Sequence, residues 1–487
     1  MSITLINAGP GSGKSFTLKE GFRLITDQMV GTIHPTDEQK DIFDYLKDEF
    51  PDPNVKCCFF SLNTSTRDDL EYSLPKGTPC FTFHGAGASV LTRKFKHQKL
   101  DYYRTDSMIS NITGKNLRDM DKDTKKQWYA LKKYVHYLKL EAMEVGIESL
   151  KYIQFKYPDM SEQPLPENWD ELSADLLERC SVINGKVEFD DMLWLGMRKA
   201  TQIYDIGFVD ESQDVSNCAY KLVARLCKNI VFCGDRNQAI NAFAGASEEM
   251  YDNIADLSDA ILPLKMTLRN PPFIVEKANF VRPKGIIEGP NKGPGVEKVI
   301  DFNDLPTILL SSCTPRSTLI ISRTNAAVIG TAMYLHRHKI PCQIVDKDLA
   351  TEITGFFKQF VTQDITKLKS KLDMWENYNL RTKNPLWKQF VEDKAAYCRE
   401  FLYNSKNWTE LVELIKSTFE KHHDGFKLCS IHKSKGREAP NLIIINPPIE
   451  LPVAMTHPIA REQEINLHFV ALTRCAMNLY WVKKEQE

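Results

Sequence analysis

What is scarce in this chain narrows its roles before any motif is considered. Among 487 residues, Lys and Arg total 63 and Asp and Glu total 64, so neither sign of charge is in surplus. A polyanion would have to be held by local basic clusters or by backbone amides rather than by a general positive field. The 12 cysteines include no Cys-x-x-Cys pair and no zinc-ligand spacing. They read as reduced, mostly buried thiols of a cytosolic protein. No apolar run reaches the ~18 residues that a membrane span needs, so no membrane partner is expected. The opening stretch has no basic leader followed by an apolar segment; a signal peptide is not expected, and a cytoplasmic setting, in a bacterium or a virus-infected host cell, is. Internal repeats of short period and low-complexity tracts are also missing.

What is present suits a soluble, multi-domain protein. Hydrophobic residues make up 42% and charged residues 26%, a globular balance. At ~100–200 residues per domain, the length predicts about three or four structural units. Short apolar runs, Ile3–Asn7, Val55–Leu62, Ile206–Asp210, Asn229–Cys233, Ser317–Ser322 and Asn441–Ile445, read as strands and alternate with helical patterns. That alternation predicts an α/β fold with parallel sheets. From about Lys94 to Asp175 apolar positions recur at three and four, as in Lys125–Leu140, which predicts a helical insertion. Residues 350–425 are again helical and charged, with Trp375, Trp387 and Trp408 spaced through them; residues 285–294 carry Gly and Pro and read as a loop.

The chemistry starts at Ala8, Gly9, Pro10, Gly11, Ser12, Gly13, Lys14 and Ser15, which fit the P-loop pattern with Ala for the first Gly. Small residues let backbone N–H groups turn inward and cradle phosphate oxygens at a helix N-terminus. Lys14 would place its charge on the β- and γ-phosphates, and the Ser15 hydroxyl can ligate Mg²⁺. An apolar strand precedes and a helical pattern beginning at Phe16 follows, the context a chance Gly-rich turn would lack. ATP with Mg²⁺ is the expected ligand. Such a loop needs an acidic partner, and Phe208-Val-Asp210-Glu211-Ser-Gln213-Asp214 runs from an apolar strand straight into acids. Asp210 is expected to hold Mg²⁺, and Glu211 to orient and deprotonate an attacking water.

These residues, with Gly234-Asp235-Arg-Asn-Gln238-Ala-Ile-Asn241-Ala-Phe243-Ala244-Gly245-Ala246 after them, resemble the UvrD/Rep-type superfamily 1 helicases. Further blocks similar to that family follow in its order. They are Ser61 to Leu70, Thr82-Phe-His84-Gly85, Glu188-Phe-Asp-Asp-Met192, Leu268-Arg269 with Ile274 and Ala278-Asn279, Ser430 to Glu438, and Phe469 to Arg474. The blocks span residues 8 to 476.

The resemblance implies two RecA-like P-loop NTPase domains with ATP in a cleft between them. The first would comprise 1–93 and 185–262 with an insertion at 94–184; the second would comprise 263–349 and 426–487 with a short insertion at 350–425. It implies that Gln238 senses the γ-phosphate, that Arg269 and Arg474 are arginine fingers, and that Gly436 and Glu438 lie at the nucleotide. Phe243 would stack a base, while Thr64, Thr82, His84 and His432 would belong to the DNA-contacting segments, the two histidines as loop organisers rather than metal ligands. Asn241 and Ala244 stand where the family has Tyr and Arg, and Thr267 and Leu268 where it has Asn and Tyr. The family's adenine-reading Gln lies upstream of the P-loop. Here Gln39, in Pro35-Thr-Asp-Glu-Gln39, resembles it in a displaced position, and the other reading is an ordinary helix start capped by Thr36.

The activity implied is that of an ATP-dependent DNA helicase with 3′–5′ polarity, working as a monomer on single-stranded and duplex DNA, with an accessory or loading protein as a further partner. Repair, replication and recombination are the settings the family implies. Other readings are a RecD-like enzyme of opposite polarity, a translocase that strips proteins without unwinding, and a P-loop switch that never moves.

Overall fold

The computed structural model describes residues 1–28, 34–95, 98–160, 163–241, 248–283, 285–287, 289, 293–381, 385–420, 424–445 and 458–483. By its contacts the chain divides into two units, Met1–Met266 and Thr267–Glu487.

The first unit is built on β1 (Ile3–Ala8), β2 (Cys57–Ser61), β3 (Cys80–Thr82), β4 (Lys99–Leu100), β5 (Lys186–Val187), β6 (Tyr204–Asp210), β7 (Cys227–Gly234) and β8 (Ala260–Leu264). Six of these form a sheet in the order β3-β2-β6-β7-β1-β8, while β4 and β5 make a separate pair. Every pairing is parallel. The interior strands β1, β6 and β7 are almost wholly buried, which is why each reads as an unbroken apolar run instead of an alternating one. Beneath the helix Lys14–Ile25, Phe22 meets Phe59 edge-on at 5.4 Å, and Phe59 stacks on Phe208 at 4.9 Å. These rings seat the helix on β2 and β6 and thereby set where its N-terminus points.

Helices Arg104–Thr113, Lys122–Glu141, Ile147–Lys156 and Trp169–Ser181 form the helical insertion. It shares one continuous apolar core with the sheet, in which Leu5 and Phe232 are joined to Leu131, Tyr134, Ile153 and Leu176. Its polar anchor is Asp191, fully buried, which pairs with Arg104 and, at 2.7 Å, with Lys139. Asp191 also accepts from the Glu188 backbone N–H at 3.0 Å, so one carboxylate caps the helix Phe189–Lys199 and holds two insertion cations. Losing one member of such a group typically costs about 3–5 kcal/mol.

The helix Phe83–Phe95 crosses Phe189–Lys199 at two glycines. A Cβ on Gly87 would lie 2.1 Å from the Met192 carbonyl oxygen, and one on Gly196 would lie 2.4 Å from the Gly87 Cα. That close approach brings the His84 ring onto Phe189, 4.0 Å between centroids and 20° from parallel.

The second unit contains β9 (Val296–Asp301), β10 (Thr318–Ser322), β11 (Cys342–Ile344), β12 (Phe426–Ser430), β13 (Ala439–Ile445) and β14 (Cys475–Lys483), in the order β11-β12-β10-β13-β14-β9. These pairings are also all parallel. Helices Lys347–Lys358, Ile365–Asn379, Pro385–Tyr403 and Trp408–Thr418 pack into the same core as the sheet, Phe357, Leu368 and Leu402 lying with Ile320, Leu428 and Ile443. Among the described residues no helix is long and apolar enough to cross a membrane.

The α/β class with parallel sheets and helical insertions is therefore the fold observed. Three of the expected domain limits fall inside elements: 93/94 in the helix Phe83–Phe95, 262/263 in β8, and 349/350 in the helix Lys347–Lys358. Composition changes gradually along these stretches. The physical breaks instead follow hydrogen bonding, as where β8 pairs with β1 through Leu264.

The glycine crossing can be tested by thermal melting. Gly87→Ala and Gly196→Ala are each expected to cost roughly 1–3 kcal/mol through overpacking, seen as a lowered Tm. Gly330→Ala, on a helix with open space at its Cβ position, should be neutral or stabilising by up to about 1 kcal/mol.

Candidate functional site: a phosphate loop and its acidic partners

β1 delivers the chain into the loop Gly9–Gly13, where Gly11 and Gly13 take φ of +71° and +85°. A side chain would be strained at either position. The Ser12 hydroxyl donates to the Gly9 carbonyl at 2.8 Å, and the Gly9 N–H donates to Leu264 O at 2.8 Å, so the loop is tied to itself and to β8. The helix Lys14–Ile25 begins directly after Gly13, with no side chain capping it. Its first N–H groups are thus left to an outside acceptor. Ala8, Gly9, Pro10 and Ser12 are at least largely enclosed, and Phe16 is exposed.

The acids come from β6. Ser15 Oγ donates to Asp210 at 2.6 Å. Asp210 is buried, and burial followed by the neighbouring Glu211 pushes its carboxyl up to about 6, against the opposing pull of Ser15 and Lys14. Glu211 sits in the left-handed region at φ +57°, and its N–H donates back to Asp210 at 2.9 Å. Gln213 binds both sides of this turn: its amide N–H donates to Glu211, and its Oε1 accepts the Asp235 N–H at 2.9 Å. Asp235 in turn accepts from the Gln238 amide at 2.7 Å. Gly234 makes the crowding feasible, since a Cβ there would lie 2.2 Å from Ser212 Oγ. Asn241, at the position where the resembled family has Tyr, donates to Asp214 at 3.0 Å and joins the two motif segments. Phe243, Ala244, Gly245 and Ala246 lie outside the described residues.

Gln39 has a defined place. Thr36 and Gln39 form a capping box at the start of the helix Asp37–Glu49, with Gln39 Oε1 accepting the Thr36 N–H at 3.0 Å. Its Nε2 donates to Thr17 Oγ1 at 3.0 Å on the P-loop helix. Each end of this buried amide makes one hydrogen bond inside the protein, the helix-start arrangement, and Nε2 lies beside the P-loop, 3.1 Å from where a Cβ on Gly13 would stand. Two neighbours were not singled out from sequence. Lys265 donates to the Ala8 carbonyl at 2.9 Å, its pKa lowered by burial. Tyr251 bridges Asn7 and the Gly234 carbonyl, each at 3.2 Å. Neither stands within a motif, so only the fold reveals them. Gln213 was legible as part of the acidic run, but its bridging role was not.

Thr64 opens the helix Thr64–Ser73 and is exposed. Thr82 accepts the Gly85 N–H at 3.0 Å and shapes the turn into the helix that carries His84. Burial lowers the pKa of His84.

In the second unit, three separated segments meet. Arg269 forms an ion pair with Glu438 and donates to the Thr473 carbonyl at 3.2 Å. Asn270 donates to the Thr473 and Cys475 carbonyls at 3.2 and 2.7 Å. Thr267, in place of the family's Asn, accepts the N–H groups of Arg269 and Asn270. Arg474 is only 2% exposed and donates to the Val470 and Arg437 carbonyls at 3.1 and 3.4 Å. Gly436 supplies the positive φ of +77° that turns the chain toward Glu438. Burial, then the charges of Arg323 and Lys433, hold His432 down to about 3, which keeps its ring neutral.

A P-loop opening a helix, with a Ser hydroxyl on the terminal acid of the next-but-one strand, defines a nucleotide-binding α/β protein of the P-loop class. The model of the UvrD/REP helicase N-terminal domain matches residues 61–258. One relative is the mitochondrial ATP-dependent DNA helicase HMI1 of Saccharomyces cerevisiae, 23% identical over 392 residues, which are 70% of this chain and 50% of that protein. The chain spans about half the length of that relative. Over residues 61–258 the chain is thus similar to the UvrD/REP helicase N-terminal domain, and each of its two units carries a six-stranded parallel sheet.

The Asp210 environment generates a pH prediction. A carboxyl whose pKa is raised by folding contributes stability that is complete below its unfolded value, 3.8, and is lost as pH rises through about 6. With magnesium absent, the unfolding free energy of Asp210→Asn relative to wild type should shift in the variant's favour by roughly 2–3 kcal/mol between pH 4 and pH 8. Denaturant melts at the two pH values measure it; a pH-independent difference would show that Asp210 titrates as in the unfolded chain.

Proposed function

We propose that the chain is an ATP-dependent DNA helicase that moves 3′ to 5′ on single-stranded DNA and separates duplex DNA, as a monomer. The observation that carries this reading is the hydrogen-bonded line that starts at Ser15 and passes from Asp210 to Glu211, Gln213, Asp235 and Gln238. A motor needs such a line, because a change at the phosphate must alter grip on the strand. The names of the matched family and relative support the same substrate class.

The arrangement fits Mg²⁺ with a nucleotide. Ser15 and Asp210 would hold the ion; a hydroxyl and one carboxylate leave room for phosphate oxygens and water, the usual magnesium environment. When bound, the ion neutralises charge on the β- and γ-phosphates. The chain's own groups do the rest. Loop N–H groups and Lys14 hold the phosphates. Glu211, steadied by Gln213, takes the proton of the attacking water. Gln238, held by Asp235, is proposed to respond to the terminal phosphate. Arg269 is proposed as the arginine that neutralises the transferring group, with Glu438 its resting partner. Arg474 is proposed to act with it, exchanging the Val470 and Arg437 carbonyls for phosphate. Thr64, Thr82, His84 and Phe243 are proposed along the strand path.

Lys14→Ala should abolish turnover with the melting profile unchanged, and Glu211→Gln should keep nucleotide binding but stop hydrolysis. Loss of binding together with turnover in the Glu211 variant would assign that residue another role.

Arg269→Ala should lower kcat by roughly 10³-fold. Arg474→Ala should do the same and also lower Tm, because two backbone carbonyls lose their donor. Steady-state kinetics and melting check both.

The decisive experiment is ATPase and single-turnover unwinding on duplexes carrying a 3′ or a 5′ single-stranded tail, beside a protein-displacement assay. Stimulation and unwinding with the 3′ tail are expected. Unwinding from the 5′ tail alone would assign the opposite polarity, displacement without unwinding a stripping translocase, and no stimulation by single strands a nucleotide switch.

A further inference from the structure

We infer that the first insertion carries a second single-strand-binding platform, outside the motif blocks, at the far end of the helix Phe83–Phe95. The inference rests on the helicase reading for its ligand and extends it to a surface that no motif block covers. The overall charge of the chain is −1, so a nucleic-acid surface has to be a local concentration of cations. One is present here. Arg93, Lys94 and Phe95 form the exposed last turn of the helix, Lys99 is exposed on β4, and Tyr102 and Tyr103 follow at 65% and 72% exposure. The cations Arg93, Lys94 and Lys99 are joined by Lys186, whose ammonium lies 3.0 Å from Asp101, the acid within this stretch.

Hydrogen bonds tie the platform's backbone to its neighbours. Backbone N–H groups of Lys99 and Asp101 donate to Gly185 O and Val187 O, both at 2.9 Å. The Tyr103 N–H donates to Asp101 at 3.0 Å. Directly after it, buried Arg104 locks onto Asp191 and the Cys180 and Val182 carbonyls. Two tyrosines thus stand in solvent on a hydrogen-bonded backbone, contributing little packing. Adjacent exposed rings and lysines suit an unpaired strand, whose bases offer faces for stacking and whose phosphates meet the ammonium groups. A duplex hides its base faces and gains nothing from the rings.

At 1.5 Å per helical residue Phe95, where the platform begins, lies roughly 16 Å from His84, which is about five nucleotides at stacked spacing. A strand passing the His84–Phe189 pair can therefore reach it.

Binding of oligothymidylates of about 6 and about 20 nucleotides to the full chain, by fluorescence anisotropy, tests this. The longer strand should bind wild type at least tenfold more tightly than the shorter. Tyr102→Ala with Tyr103→Ala should lose that gain, with the short strand bound as before and Tm unchanged; Tyr102→Phe with Tyr103→Phe should restore it. Lys94→Ala with Lys99→Ala should flatten the salt dependence of long-strand binding by about 1.4 in log–log slope. Wild-type affinity for the long strand in the Tyr-to-Ala pair overturns the platform, as does weakened binding of blunt duplex with single-strand binding intact. Failure of wild type to bind either oligonucleotide overturns the helicase reading instead.

Discussion

The structure of the first unit is organised around two carboxylates held at the end of β6, one of them fully out of water. Burying Asp210 beside Glu211 is unfavourable, and the raised Asp210 pKa is the signature of that cost. Much of the surrounding architecture offsets it. The helix carrying Lys14 is seated by Phe22, Phe59 and Phe208 so that Ser15 reaches Asp210. The Glu211 backbone bends into the left-handed region so that its own N–H can serve the neighbouring acid. Gly234 vacates the volume into which the acidic turn fits. Two adjacent carboxylates, one of them buried, favour a cation beside them, because its charge offsets what the fold alone leaves unbalanced.

The second unit solves a related problem in another way. Its arginines are satisfied internally, Arg269 by a partly exposed carboxylate and Arg474 by backbone carbonyls. An arginine resting on carbonyls keeps its full charge and its planar fork, so it can change partners without titrating. Asn270 stitches the segments that carry the two arginines, which makes their positions interdependent.

Departures from the resembled family become intelligible at this level. Asn241 gives up a ring but gains a hydrogen bond to Asp214, tying the segment that follows Gln238 to the acidic turn. Thr267 uses its hydroxyl to accept two backbone N–H groups at the turn bearing Arg269, a job the longer Asn amide can also do. Buried ion groups around Asp191 hold the insertion in register with the helix Phe189–Lys199, which links the insertion to the stacked rings of His84 and Phe189.

By itself the sequence determined what depends on local chemistry. The loop Ala8–Ser15 needs small residues at fixed spacing, and the run Phe208–Asp214 needs an apolar strand ending in acids, so both were legible, as were the interior strands, whose two buried faces demand continuous apolar side chains. Only the tertiary structure decided matters that rest on residues distant in the chain. Gln39 had two readings in sequence, and Thr17, 22 positions away, takes its amide. Gly87 and Gly196 look like ordinary helix glycines until the two helices cross there. Lys265 and Tyr251 have no motif around them, yet both brace the phosphate loop. Whether an arginine, a tyrosine or a carboxylate is buried or exposed is a property of the packed chain, and that property is what separates Arg474 from Arg93 and Tyr134 from Tyr102.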